Sequence, residues 1–441
     1  MIRFFRVNDP YRLVAVFLLL VLFRIPFFIF GNEAIKPELD YYLLGERIME
    51  GDDLYIDILD ETAPLSVGFY GIVNFLFGRS HTVLMLLSIV IITLQVILFN
   101  KIMIRHKAYG EITYLPSYIY TLLSFTFYDY LILSPAMLGM TFILLAFNNL
   151  FDHISSERRQ DTTLVSMGFF LGLAPLFYTP YFIFILGFFV ALFFFTGTIP
   201  RRYFLFLYGL SIPFLFLFVY YWWNGHLTNV YEVLFLSLFK KTTDYFTFYE
   251  NVIIHIPVLL LGLIAIIKTF SYSRFVNYQV TLQLIVFVMF ICGMVSILIS
   301  VEKQPAHFFI LVPMLAFFIA HYFLILKKQW IKETLNILLL VTLFYFNVGT
   351  YYDFFFLSRI IDKDYLIVRE TQYDEIVTDK RILVTGENHD PYAKSAGFAT
   401  PCFDYNLSQE IFYKLNRYDH VTMVFQGFSE DLPEVIIDSE N

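Results

Sequence analysis

The sequence predicts a mainly α-helical membrane protein, a polytopic bundle of about eleven spans followed by a small extracytoplasmic α/β module at the C-terminus. Three observations predict it. The chain is 58% hydrophobic and only 15% charged, where a soluble domain carries roughly a quarter of its residues as charges. Apolar runs of about 20 residues recur along most of its length. The charged residues between those runs alternate in sign in the way that fixes membrane orientation.

The runs lie near 11–31, 81–104, 112–130, 134–151, 162–178, 180–198, 203–223, 252–270, 279–300, 308–326 and 334–352. The first has no small-residue cleavage site and is read as a retained anchor. Arg3, Arg6 and Arg12 precede it. Lys101, Arg105 and Lys107 follow the second run, Arg158 and Arg159 the fourth, and Arg201 and Arg202 the sixth. Lys268 and Arg274 follow the eighth, and Lys327, Lys328 and Lys332 the tenth. Every even-numbered exit is basic, so the N-terminus is expected in the cytoplasm and the tail outside. The expected division is a transmembrane domain over 1–352, with its first outer loop at 31–80, and a soluble domain over 353–441. Cys292 falls in a span and Cys402 in the tail, so no disulfide is expected.

Outside the membrane, Leu39–Met49 reads as a short amphipathic helix stopped by Gly51, and Pro64–Phe77 as an apolar helix along the interface. The stretch from Asn224 to Asn251 reads as another interfacial helix, in which Lys240 and Lys241 break the charge rule and are candidates for holding an anion. In the tail, Lys380–Gly386, Val421–Phe425 and Val435–Ile437 read as strands, with a helix near Ser408–Arg417. A module of this size is too small for a large core of its own.

The first outer loop is rich in acids, and most of them read as a solvated face. Glu38 and Asp40 differ because they open a helix that must lie on the membrane. A carboxylate held near headgroups is partly desolvated, which raises its pKa and lets it take a proton from a hydroxyl or amine. No P-loop, Gly-rich dinucleotide turn, His-Glu-x-x-His or Cys-x-x-Cys is present. His389 and Asp390 could ligate a metal, but a solvated turn is the favoured reading, and no metal site is assigned.

The run PELDYYLLGERIMEGDDLYIDILDETAPLSVGFYGIVNFLFGRS resembles the first outer loop of GT-C glycosyltransferases, in particular the group of protein O-mannosyltransferases and lipid A aminoarabinose transferases. The likeness rests on an acidic pair and helix, a Gly51–Tyr55–Asp57 turn, Pro64-Leu65, and a second helix ending in Phe77-Gly78. GFFLGLAPLFYTPYFIF and QPAHFFILVPMLAF are similar to later family segments, and the tail from Ile382 to Asp438 looks like the soluble ending of bacterial members. The resemblance implies a GT-C-like bundle in a bacterial inner membrane. It also implies transfer of a sugar from a polyprenyl-phosphate carrier to an extracytoplasmic lipid, glycan or protein, with inversion at the anomeric carbon.

On this reading Asp40 or Glu38 is the base, and Lys303 and His307 meet the donor phosphate, with Lys240 and Lys241 as a second option. Tyr55, Asp57 and Asp129 are further candidates. The expected partners are the lipid-linked sugar and membrane lipid, with no nucleic acid; a divalent cation is an open requirement. The sequence departs from the family at Pro37-Glu38, where Asp-Glu is usual. It departs again at Leu133-Ser134-Pro135, where an acid is common and Asp129 is the nearest one, and at Tyr178, which replaces a lysine. These departures favour a second reading, a catalytically inactive scaffold that binds lipid-linked saccharide. A transporter or polymerase would need charged residues within the spans, and the runs show almost none.

Overall fold

The computed structural model of the chain describes residues 1–30, 33–155, 161–197, 199–236, 246–272, 275–300, 304–352, 361, 363–386, 388–398 and 415–438. Its principal helices are, in chain order, α1 (Arg12–Phe30), α2 (Lys36–Glu50), α3 (Pro64–Phe77), α4 (His81–Arg105), α5 (Leu115–Leu123), α6 (Pro135–Ser155) and α7 (Asp161–Phe177). They continue with α8 (Phe182–Phe195), α9 (Pro200–Trp223), α10 (Phe248–Phe270), α11 (Asn277–Ile299), α12 (Val312–Ile325), α13 (Gln329–Phe344) and α14 (Tyr418–Glu430).

Among the described residues eight helices are long and apolar enough to cross a membrane: α1, α4, α6, α9, α10 and α11, with Pro305–Ile325 and Gln329–Gly349. The apolar helices Asp161–Phe177 and Thr179–Phe195 are shorter. The protein is therefore a multi-pass membrane protein. The span expected over 112–130 is instead the 9-residue α5 and a 3₁₀ turn at Tyr128–Leu131. The cause is local. The Ser124 hydroxyl donates to the Thr121 carbonyl and that of Thr126 to the Leu123 carbonyl, and such side-chain bonds compete with a continuing helix.

The chain divides into two compact units. The first comprises Met1–Asn32, Leu84–Leu215 and Phe246–Lys363; the second comprises Glu33–Val83, Phe216–Tyr245 and Asp364–Asn441.

In the first unit the helices approach through small residues. A Cβ at Gly209 would collide with the Val165 carbonyl oxygen, one at Gly168 with that of Phe206, and one at Gly172 would lie 2.7 Å from that of Leu210. These glycines bring α7 and α9 into backbone contact, which suits helices in lipid, where close packing and not water exclusion drives association. The α10 helix starts with a capping box in which the Thr247 side chain accepts from the Glu250 N–H and the Glu250 carboxylate from the Thr247 N–H. Both exchanges satisfy amide groups that a helix start leaves orphaned.

The second unit has a hydrophobic core drawn from three stretches of chain. Leu39, Leu43 and Ile58 come from the first loop, Tyr221, Val230 and Leu234 from the middle stretch, and Val377, Ile382 and Ile437 from the tail. The tail that is too small to build a core thus shares one. Helix α2 ends at Gly51, whose φ of 110° needs no Cβ to be accommodated. Helices α2 and α3 touch at Gly45, where a Cβ would sit 3.0 Å from the Gly71 nitrogen. A small parallel sheet forms from β1 (Arg381–Thr385), β2 (Gly397–Phe398) and β3 (Val435–Asp438) in the order β2-β1-β3.

Two of the expected tail strands are present as β1 and β3. The third, Val421–Phe425, is part of α14. Its β-branched residues suggested a strand, yet Val421 and Phe425 are exposed while Val424 packs on the core. That is a helical face pattern and not an alternating one. The helix expected near Ser408 lies largely outside the described residues, as do Cys402, Lys240 and Lys241. What is described of the Asn224–Asn251 stretch is a short helix at Leu227–Val230, a π-helical turn at Tyr231–Leu236 and the start of α10.

Candidate functional site

The two acids at the start of α2 stand two residues apart, about 200° around a helix, and the structure gives them different surroundings. Glu38 is fully buried. Its carboxylate accepts from the Tyr42 hydroxyl at 2.5 Å, and His81 Nδ1 lies 2.6 Å from its other oxygen. Burial and the neighbouring Glu38 charge push the Tyr42 phenol well above its ordinary pKa, so it stays a donor. Asp40 faces the other way, its side chain 17% exposed, with His389 Nδ1 at 3.0 Å.

Around the second pair lie Asp60, Asp390 and Lys36. Asp60 is buried and accepts the Thr62 amide at 2.7 Å. Burial pushes its carboxyl up to about 6, Asp40 adds to the rise, and His389 opposes it. Burial also raises the carboxyl of Asp390, whose oxygen is 3.8 Å from Lys36 Nζ. His389 and Asp390, the two tail residues considered as metal ligands, thus each face a charged group of α2. Among the described residues no group of three or more His, Cys, Asp or Glu is arranged to hold a metal ion.

Tyr55 and Asp57 build the turn that follows α2. Tyr55 is fully buried with φ 66°, a conformation costly for a residue with a side chain. Its hydroxyl donates to the Thr62 carbonyl at 2.8 Å, and Asn229 donates to its carbonyl. The Asp57 carboxylate accepts the Asp53 amide at 2.7 Å. Beside Asp57 a cleft of about 480 Å³ is lined by Arg47, Glu50, Asp52, Arg381 and Asp431. There the Asp431 carboxylate takes Arg47 at 2.6 Å and Arg381 at 2.7 Å. Arg47 also reaches Asp52 at 2.6 Å, and Arg381 reaches Glu50 at 2.8 Å.

Two further candidates, His307 and Asp129, belong to the first unit. His307 is buried in a 3₁₀ stretch at Pro305–Leu311. Its Nδ1 is 2.9 Å from the Ser300 hydroxyl, which is also 2.9 Å from that of Tyr178. Tyr178, the residue that departs from the family pattern, is thereby a partner of the same serine as His307. Asp129 is 2% exposed. The backbone N–H groups of Ala306, Tyr130 and Asp129 itself act on its carboxylate, and none makes a well-formed hydrogen bond to it. The next residue, Tyr130, donates its hydroxyl to His255 Nε2 at 2.9 Å, because His255 Nδ1 is already committed to the Asn251 carbonyl.

The structure therefore brings Glu38, Asp40, Tyr55 and Asp57 into one unit and Asp129 and His307 into the other. Lys303, Lys240 and Lys241 lie outside the described residues. Sequence reasoning missed His81 and the role of His389, which are 43 and 349 positions from their carboxylate partners. It also missed Arg24, an arginine inside α1 that is 1% exposed. Arg24 donates to the Leu20 carbonyl and the Ser88 hydroxyl, and that hydroxyl is bonded to the Leu131 carbonyl at the end of the turn that carries Asp129.

The fold, with its membrane-length helices, two helices in the first loop and a small α/β ending, is shared with solved structures. Two solved structures carry the comparison. ArnT from Cupriavidus metallidurans, bound to undecaprenyl phosphate, matches with a TM-score of 0.59 at 13% identity, over 98% of this chain and 90% of that one. An oligosaccharyltransferase from Archaeoglobus fulgidus in the apo form matches with a TM-score of 0.52 at 11% identity, over 88% of this chain and 64% of that one. At such identities the likeness shows the fold alone. No family model and no curated protein sequence matches the chain.

Proposed function

We propose that the protein is an inner-membrane glycosyltransferase that moves one sugar from a polyprenyl-phosphate donor to an acceptor on the extracytoplasmic side, with its N-terminus in the cytoplasm. The observation that carries this reading is the pair of acids on α2. One is sealed and the other, Asp40, is partly exposed, as activation of an acceptor hydroxyl or amine requires. The fold supports it, because a structure of the same fold holds undecaprenyl phosphate. His307 and Lys303 are the proposed contacts to the donor phosphate, whose charge must be neutralised as it leaves.

The test is transfer from labelled polyprenyl-phosphate sugars in proteoliposomes. Asp40→Asn is expected to lower the rate by about 100-fold or more with the thermal midpoint little changed. Glu38→Gln is expected to lower the midpoint, because it weakens two buried charge-assisted hydrogen bonds worth about 1.5 kcal/mol or more each. Full activity in Asp40→Asn sinks the assignment. A wild-type protein that binds the donor yet never consumes it establishes the second reading, the scaffold, which the departures at Pro37, Ser134 and Tyr178 favour.

A further inference from the structure

Among the described residues, the second unit contains two carboxylate–imidazole pairs, Glu38–His81 and Asp40–His389, and of these only the latter has its carboxylate partly open. In both, the ring faces the acid through Nδ1. An aspartate on Nδ1 fixes the tautomer: Nδ1 carries the hydrogen and donates it, and Nε2 carries the lone pair. This is the arrangement by which an aspartate orients a histidine and stabilises the imidazolium that forms when Nε2 takes a proton. The His389 side chain is 16% exposed, and it is held by the turn before Asp390–Ala393, where the Tyr392 amide donates to the His389 carbonyl at 3.0 Å.

We infer that the atom that accepts the acceptor's proton is Nε2 of His389, and that Asp40 acts through it as the orienting carboxylate. The inference rests on the proposed transferase function and adds a catalytic residue from the tail to a site read from the first loop. The step balances as follows. The acceptor O–H or N–H gives its proton to His389 Nε2, and the acceptor atom forms a bond to the anomeric carbon. The bond from that carbon to the phosphate oxygen breaks, and its electron pair leaves on the polyprenyl phosphate. The imidazolium, held against ionised Asp40, then returns its proton to water.

An imidazole suits this work better than the carboxylate beside it. Its ordinary pKa lies near the working pH, where a base is most effective. The groups facing it are Asp40 of α2, Asp60 before α3, and Asp390 and Tyr392 of its own turn, while Lys36 and Arg369 face Asp390.

The experiment uses the full-length protein in proteoliposomes with a labelled polyprenyl-phosphate sugar, reading kcat, KM and their pH dependence for His389→Ala and His389→Gln. The glutamine of the second variant retains a donor for Asp40 and guards against a folding artefact. Both are expected to lose about 100-fold in kcat with KM within about threefold, and to lose the acid limb of the pH profile. Added imidazole is expected to restore at least about tenfold of the His389→Ala rate, which a purely structural role would not allow. A kcat within about threefold of wild type, a loss carried by KM alone, or rescue by imidazole of His81→Ala in place of His389→Ala overturns the inference while leaving the transferase reading intact. Absence of transfer by the wild type overturns that reading and the inference with it.

Discussion

The two units bury polarity in opposite ways. The first sets several of its interior polar groups against neutral partners: Arg24 on a serine hydroxyl and a carbonyl, His255 on a tyrosine, Tyr118 on Asn336 and Gln95 on Tyr120. Its ion pairs, such as Arg105–Asp152 and Arg6–Glu111, are on partly exposed side chains. The second unit packs charge against charge, with Arg47, Arg79 and Arg381 all bound to carboxylates. The difference reflects the solvent each must manage. A helix bundle in lipid gains little from hydrophobic burial, since lipid tails are as apolar as its side chains, and relies on close approach and neutral hydrogen bonds. A unit with water available can keep many charges, provided each is paired.

The comparison breaks first if the helix approach in the first unit proves unimportant. Gly209→Val would drive a branched side chain into the Val165 carbonyl. We expect a loss of about 3 kcal/mol, seen as a collapse of the folded fraction in detergent. The same change at Gly51 meets no neighbouring atom and is opposed only by its φ, so its cost is expected to be smaller. Equal tolerance at both positions would mean that the first unit is not held by backbone contact.

The second unit is probed by pH. The Asp60 carboxyl is held near 6 mainly by burial, against an ordinary value of 3.8. The folded state therefore keeps this proton to higher pH than the unfolded chain does. The resulting stabilisation is complete below about pH 4 and is lost as pH rises through about 6. Wild type is expected to lose about 2 kcal/mol between pH 4 and pH 7 that Asp60→Asn does not lose, measured as the thermal midpoint of each at the two pH values. Parallel behaviour of the two proteins would place the titration elsewhere in the cluster.

These contrasts also mark what could be read from the residues alone. The long apolar runs and the α2 and α3 helices were legible because hydropathy, Gly51 and Pro64 act locally. The strand assigned to Val421–Phe425 failed because a short run of β-branched and aromatic residues carries no record of which face a tertiary core will take. Asp40 and Glu38 could be nominated as a pair by their place after the first span. Nothing in the sequence says that one would be closed by Tyr42 and His81 and the other met by His389, because those contacts are set by a core shared among three distant stretches. Arg24 was overlooked because one charge hardly lowers the hydropathy of a 19-residue helix.

The smallest expected effect concerns salt. Raising ionic strength from about 0.15 M to about 1 M shortens the screening length from about 8 Å to about 3 Å. The Arg381–Glu50 pair is 38% and 45% exposed, so it should weaken, and with it the link between α2 and β1. Exposed pairs are worth less than about 1 kcal/mol each, so global unfolding should hardly respond. Hydrogen exchange at β1 and α14 should quicken by a few-fold in high salt while amides of α4 and α11 keep their protection. If α4 loses as much protection as β1, the two units do not differ in the way their burial patterns suggest. If neither changes, the 18% exposed Asp431, bonded to both arginines, is the contact that holds the tail to α2, and Asp431→Asn should then reproduce the loss that salt could not.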